Sequence, residues 1–137
     1  MTIYRDILLN RLIQAKSHHL IKILTGIRRC GKSFLLFNLF KKHLLETGVP
    51  QSHIIEIDLE SDQFLFCRDA ITLSKEIRAR LPSDNTPCYI LIDEIQLVDR
   101  FHEILNSLLH IDNCDVFVTG SNSKFLSRDI VTEFRGR

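Results

Sequence analysis

The sequence predicts an α/β protein in which helices cover both faces of a parallel β-sheet. Short segments rich in β-branched residues alternate along the chain with longer segments of helical periodicity. The segment 88–92 is apolar throughout, which is typical of a strand buried on both faces. With 45% hydrophobic and 26% charged residues, the 137-residue chain has the composition of one globular domain.

The first three elements are predicted within the first 50 residues. Residues 3–16 carry apolar side chains at helical spacing, so we expect residues 1–19 to form an N-terminal amphipathic helix that packs on the domain. Residues 20–25 predict a buried strand that ends at a glycine. A helix from 32 to about 47 should stop at Gly48, because glycine readily takes the left-handed conformation that caps a helix.

The rest of the chain repeats this alternation. Right-handed crossovers between its strands would build a parallel sheet with helices on both sides. Because no repeat, low-complexity tract or linker interrupts the pattern, residues 1–137 predict a single domain. The predicted elements are strands over 53–59, 88–92 and 116–119, and helices over 69–81, 100–110 and 123–134.

Charge and cysteine content narrow the class of protein. Residues 1–50 hold nine Lys and Arg against two acids, and residues 51–137 hold nine against fifteen, which indicates either two solvated faces of opposite sign or a basic nucleic-acid surface. No run reaches about 18 apolar residues, so we expect a cytoplasmic protein with no membrane span. No C-x-x-C pair occurs, which argues against zinc, and the four cysteines fit reduced thiols: Cys30, Cys67, Cys88 and Cys114.

The strongest motif lies between the first strand and the helix that follows it. Its sequence, GIRRCGKS, fits the phosphate-loop pattern G-x-x-x-x-G-K-[ST], in which backbone N–H groups and the helix N-terminus surround phosphate oxygens. Lys32 would neutralise the β- and γ-phosphates of ATP, and the Ser33 hydroxyl would coordinate Mg²⁺. The predicted nucleotide-binding residues are Gly26, Ile27, Arg28, Arg29, Cys30, Gly31, Lys32, Ser33 and Phe34.

Two carboxylates follow the apolar strand 88–92. The carboxyl ends of parallel strands are where open α/β sheets bind ligands, so Asp93 is a candidate Mg²⁺ ligand, acting through water. Glu94 is a candidate catalytic base, because phosphoryl transfer to water requires an oriented nucleophile. The alternative is an exposed Asp-Glu pair at the start of a loop.

A polar segment follows the fourth predicted strand. Ser121 or Asn122, with Thr119 behind them, should lie at the same sheet edge as Lys32 and Glu94 and could contact the γ-phosphate or the attacking water. The alternative is that Ser121 and Asn122 cap the next helix.

These three segments together resemble a known family. The strings GIRRCGKS, LIDEIQ and TGSNS, with Leu126-Ser127 and the terminal Arg-Gly-Arg, are similar to the bacterial and archaeal AAA-type P-loop ATPases that carry an N-terminal ATP-binding domain and a C-terminal domain of unknown function. The resemblance implies a three-layer P-loop NTPase sandwich, a catalytic glutamate and the strand order 5-1-4-3-2. It also implies ATP and Mg²⁺ as ligands.

The same resemblance predicts an incomplete domain. In the family a further strand and a C-terminal domain follow the Gly-Arg motif, whereas this sequence ends at Arg137. We therefore expect strand five to be missing, strand one to be an edge, and the chain to be the truncated N-terminal portion of a larger ATPase. Arg135 or Arg137 could complete the site of a neighbouring subunit in a homo-oligomer, or both could be terminal cations beside Gly136.

The sequence thus predicts ATP binding with Mg²⁺-dependent hydrolysis. The alternative is a regulatory or nucleic-acid-associated module that ATP switches without significant turnover. A nucleotide kinase is disfavoured because nothing resembles an acceptor-binding lid. A GTPase is disfavoured because no N-K-x-D string occurs.

Overall fold

A computed structural model describes residues 2–16, 20–25, 31–120 and 131–135, with the backbone alone at 2–5 and 131–135. The strands are β1 (Ile21–Thr25), β2 (Ile54–Asp58), β3 (Cys88–Asp93), β4 (Cys114–Thr119) and β5 (Val131–Arg135). The helices are α1 (Thr2–Gln14), α2, α3 (Ala70–Arg80) and α4 (Phe101–Leu108), where α2 runs through Lys32–Phe34, a π-helical segment Leu35–Phe40, and Lys41–Glu46. Short 3₁₀-helices lie at Gln51–His53, Asp62–Cys67 and Ile95–Leu97.

The five strands form one sheet in the order β2-β3-β4-β1-β5, and every neighbouring pair is parallel. Read from its other edge, this is the order 5-1-4-3-2 that the family resemblance implies. Helices pack on both faces of the sheet, so the predicted α/β class and the three-layer arrangement are confirmed.

Strand five is present, and the expectation that it would be missing is wrong. Residues 131–135 pair in register with residues 21–25, so β1 is an inner strand and not an edge. The helix predicted over 123–134 is also wrong at 131–134, and its earlier residues lie outside the described ranges. After β1 has paired with β4 its other side still carries a row of backbone groups to be paired, and the β-branched Val131 and Thr132 suit the extended conformation.

Two apolar layers hold the sheet between the helices. Side chains alternate between the faces, so Ile90 and Ile92 of β3 pack in the layer that includes α3 and α4, whereas Leu91 packs in the layer that includes α2. Leu8 and Leu12 of α1 belong to that second layer. In the described part of the chain, no helix is both long and apolar enough to cross a membrane.

This topology brings distant parts of the sequence to one end of the sheet. The carboxyl ends of β1, β3 and β4 and the start of α2 meet at the same edge. Gly31, immediately before α2, has φ +73°, in the left-handed region that favours glycine. The chain thereby turns into α2 so that Lys32 and Ser33 lie in its first turn.

Candidate functional site

Lys32 extends from α2 to the end of β4. Its side chain is buried, with 2% of the residue exposed, and Nζ donates a hydrogen bond of 3.0 Å to the carbonyl oxygen of Gly120. This bond places a positive charge between the N-terminus of α2 and the carboxyl edge of the sheet. A helix N-terminus and a lysine amine both favour a negatively charged ligand at this position.

Asp93 connects the start of α2 with β3 and β4. Its Oδ2 accepts a 2.7 Å hydrogen bond from the Ser33 hydroxyl, and its Oδ1 accepts one from the Thr119 hydroxyl. Burial raises the pKa of this carboxyl, and the charges of Glu94 and Asp58 raise it further, while the two hydroxyl hydrogen bonds lower it. Each oxygen of a buried carboxylate is therefore held by a hydroxyl group.

Glu94 leaves the end of β3 in an unusual backbone conformation. Its φ of +58° and ψ of +56° lie in the left-handed region, which costs a non-glycine residue roughly 1 kcal/mol or more. The Thr119 hydroxyl accepts a 2.8 Å hydrogen bond from the Glu94 backbone N–H, and Glu94 Oε1 accepts a 2.5 Å bond from Gln96 Nε2. Thr119 thus contacts both acidic residues. Glu94 is 4% exposed, and Gln96 holds its carboxylate.

A third carboxylate reaches the same place. One oxygen each from Glu60, Asp93 and Glu94 lies within 4.8 Å of the others, and Glu60 is exposed while the other two are buried. Glu60 follows β2, whose last residue Asp58 pairs in register with Asp93. Carboxylate and hydroxyl oxygens are the ligands that Mg²⁺ prefers, so Ser33 and this acidic group fit a magnesium ion chemically.

Hydrogen bonds connect four of the sequence-predicted residues, which are Ser33, Asp93, Glu94 and Thr119. Lys32 lies beside them, bonded to the carbonyl oxygen of Gly120. Phe34 is 44% exposed on the first turn of α2. The backbone of Arg135 pairs in register with Thr25, which places it at the same carboxyl edge of the sheet. The predicted positions Gly26, Ile27, Arg28, Arg29, Cys30, Ser121, Asn122 and Arg137 lie outside the described residues.

Sequence reasoning missed Glu60, and it assigned no role to Gln96, the last residue of the LIDEIQ string. Glu60 belongs to an acidic stretch that follows a strand, and this is the signal that identified Asp93 and Glu94. The sequence alone does not show that β2 lies next to β3, and this pairing brings the acidic stretch to the site. Gln96 lies two residues after Glu94, and its contribution depends on a 3₁₀ turn that periodicity does not reveal.

Two curated relatives match most of this chain. An uncharacterized protein of Haemophilus influenzae is 36% identical over 135 residues, which are 98% of this chain and 34% of the relative. An uncharacterized protein of Methanocaldococcus jannaschii is 34% identical over 117 residues, or 85% of this chain and 24% of the relative. The chain therefore spans about a third or less of the length of these relatives.

Two solved structures share the fold. A DNA polymerase III gamma subunit-related protein of Thermotoga maritima matches 98% of this chain and 46% of its own, with a TM-score of 0.64 and 14% identity. PCH-2 of C. elegans matches 97% of this chain and 40% of its own, with a TM-score of 0.58 and 16% identity. The sequence profile of the AAA domain matches residues 18–137. With the phosphate-loop lysine and the acidic strand end on one sheet edge, this match shows that the chain belongs to the AAA domain family, a family of nucleotide-binding ATPase-type domains.

Proposed function

We propose that this chain binds ATP at the carboxyl edge of the sheet and hydrolyses it to ADP and phosphate. The observation that carries the proposal is the convergence of Lys32, Ser33 and Asp93. The Lys32 amine and the first turn of α2 supply positive charge for the β- and γ-phosphates. The Ser33–Asp93 hydrogen bond supports the proposal, because the two expected metal ligands lie side by side.

Ser33 and Asp93 would hold Mg²⁺, with Glu60 and Glu94 close enough to bind its water ligands. The ion, when bound, neutralises phosphate charge during transfer. Glu94 would act on the attacking water, because its carboxylate lies beside Asp93 and is held by Gln96. It accepts the water proton as the oxygen attacks the γ-phosphorus, and ADP leaves from the opposite side.

Nucleotide binding is tested with Lys32→Ala. We expect the Kd for Mg-ATP, measured by isothermal titration calorimetry, to rise at least about tenfold, since a charge-assisted contact with phosphate contributes about 1.5–3 kcal/mol. Lys42→Ala is the matched control, because Lys42 is an exposed lysine further along α2. Equal affinity of the wild type and Lys32→Ala would refute the assignment of the phosphate site.

Hydrolysis is tested with Glu94→Gln. This variant keeps the size of the side chain and loses its basicity, so the Kd for Mg-ATP should change little while hydrolysis falls by about 10²–10⁴-fold. Phosphate release at saturating Mg-ATP is the measurement. Hydrolysis by Glu94→Gln at the wild-type rate would contradict the assigned base.

The same measurements separate this proposal from the alternative of an ATP-switched binding module. Such a module would bind Mg-ATP through Lys32 and release no phosphate. Salt-dependent retention of the protein on a DNA column would then indicate that the basic residues bind nucleic acid. Residues 1–50 contain nine of these Lys and Arg residues. For an oligomeric ATPase, Arg135 is the candidate for acting in trans that lies at the described sheet edge.

A further inference from the structure

The Glu94 carboxylate is held by a neutral donor on its own chain segment. Gln96 Nε2 donates a 2.5 Å hydrogen bond to Glu94 Oε1. A bond from an amide N–H to an ionised carboxylate is stronger than one between neutral groups. Gln96 therefore constrains the orientation of the Glu94 carboxylate. The backbone of Glu94 is itself in a strained, left-handed conformation.

The backbone around Gln96 fixes this contact. The 3₁₀-helix Ile95–Leu97 begins directly after Glu94, and the Leu97 N–H donates a 3.0 Å bond to the Glu94 carbonyl oxygen. Ile95 is completely buried in the apolar layer on the α3 and α4 side, which anchors the turn to the core. The Gln96 side chain can thus reach back to Glu94 across only two residues.

The electrostatic surroundings show why such a restraint is needed. A Glu94 oxygen lies within 4.8 Å of carboxylate oxygens of Asp93 and Glu60, and like charges at this distance repel each other. Without a restraint, repulsion would favour rotamers that carry the Glu94 carboxylate away from Asp93. The Gln96 amide offers attraction without adding a charge, so it can oppose this repulsion and orient the Glu94 carboxylate.

We propose that Gln96 is a positioning residue for ATP hydrolysis, holding Oε1 of Glu94 so that Oε2 faces the attacking water. This inference rests on the proposed function, because it assigns a role through Glu94. The Gln96 side chain itself contacts neither ATP nor the water in this role. Its effect is on the rate of the chemical step and not on nucleotide affinity.

The test compares Gln96→Met and Gln96→Glu with the wild-type chain. Methionine keeps the length of the side chain and removes the donor, and glutamate also adds a repelling charge. We expect single-turnover hydrolysis of Mg-ATP to slow by about 100-fold, the cost of a 1 Å misplacement of a reacting group. The Kd for Mg-ATP and the Tm of Gln96→Met should stay close to those of the wild type, which a merely structural role would not predict.

Gln51→Glu is the matched control. The substitution makes the same chemical change at an exposed glutamine that precedes β2, at the amino end of the strands and away from the site. This variant should hydrolyse ATP at the wild-type rate. If Gln96→Glu fails to fold, Gln96→Met decides the matter.

The outcomes separate the two proposals. A wild-type rate in Gln96→Met, with loss in Glu94→Gln, would overturn the role of Gln96 and leave the proposed function intact. Failure of the wild type to bind Mg-ATP would overturn the proposed function itself. Binding without any single-turnover product would overturn the hydrolysis in the proposed function, and the role of Gln96 would fall with it.

Discussion

Two cysteines that share a register position differ in the acidity of their thiols. Cys88 of β3 and Cys114 of β4 are register partners, and their side chains form a hydrogen bond. That bond lowers the pKa of Cys114, and the charge of Arg78 lowers it further, although burial opposes both. The same bond and burial raise the pKa of Cys88, and burial raises that of Cys67. Among these three residues, Cys114 is the one whose thiol ionises most readily.

We therefore predict that iodoacetamide at neutral pH modifies Cys114 before Cys88 and Cys67. Cys114 is half-buried and lines a cavity of about 180 Å³, whereas the other two are completely buried. Cys88→Ala removes the hydrogen-bond donor and should slow labelling of Cys114, because the pKa of Cys114 rises and less of the thiol is ionised at neutral pH. Peptide mass spectrometry over time gives the rates. Cys67→Ala is the control, and faster labelling of Cys67 than of Cys114 would contradict the prediction.

Local sequence pattern predicts several of the strands and helices, whereas β5, which depends on a distant partner, is not predicted. The strand at residues 88–92 is visible in the sequence because burial on both faces requires an unbroken apolar run. The helix predicted over 69–81 is observed as α3, where the Asp69 side chain accepts a hydrogen bond from the Thr72 N–H at its start. β5 is stabilised by pairing with β1, more than 100 residues earlier, and its own residues carry no strict alternation.

The candidate site divides in the same way. Lys32 and Ser33 belong to a contiguous motif, and Asp93 and Glu94 follow a recognisable strand, so all four could be predicted. Thr119 was placed only behind its neighbours, yet its hydroxyl bonds both Asp93 and the Glu94 backbone. That role could not be read from the sequence, because it arises from the packing of β4 beside β3.

Removal of β5 tests its importance as an element. A chain that ends at residue 130 would leave one side of β1 unpaired, next to the buried side chains of Ile21 and Ile23. We expect its Tm to fall by about 5 °C or more, which corresponds to roughly 1–2 kcal/mol for a domain of this size. Unpaired strand edges also promote association, so light scattering should detect oligomers. A chain ending at residue 135 is the control. The prediction would be contradicted if the shorter chain kept the Tm of the control and remained in the same oligomeric state.

At the scale of the whole molecule, a buried ion pair joins β1 and β4, two neighbouring inner strands of the sheet. Lys22 of β1 donates a hydrogen bond to Asp115 of β4, and the two residues are 1% and 8% exposed. Lys22 Nζ also lies 5.1 Å from the centre of the Phe117 ring. The Asp115 charge contributes, after burial, to a raised pKa of Tyr89 on β3. A charged group at the amino half of the sheet thus contacts the apolar layer that supports α2.

Removing one member of this pair takes the ion pair away from the other charge, which stays buried. We predict that Asp115→Ala lowers the free energy of unfolding by about 3–5 kcal/mol, which is the usual cost of breaking a buried pair. The double variant Lys22→Met/Asp115→Leu should lose less than Asp115→Ala, because well-packed apolar side chains replace both charges without a desolvation penalty. Urea denaturation monitored by circular dichroism gives the three values.

Glu76 provides the control, because its pair with Arg80 on α3 is partly exposed, at 25% and 38% of the side chains. Glu76→Ala should cost about 0–1 kcal/mol, since water screens such pairs. A loss in Asp115→Ala no larger than this would show that the buried pair contributes no more than a surface one. A double variant at least as unstable as Asp115→Ala would show that the site accommodates charge better than apolar side chains, and the pair would then stabilise the junction of β1 and β4 directly.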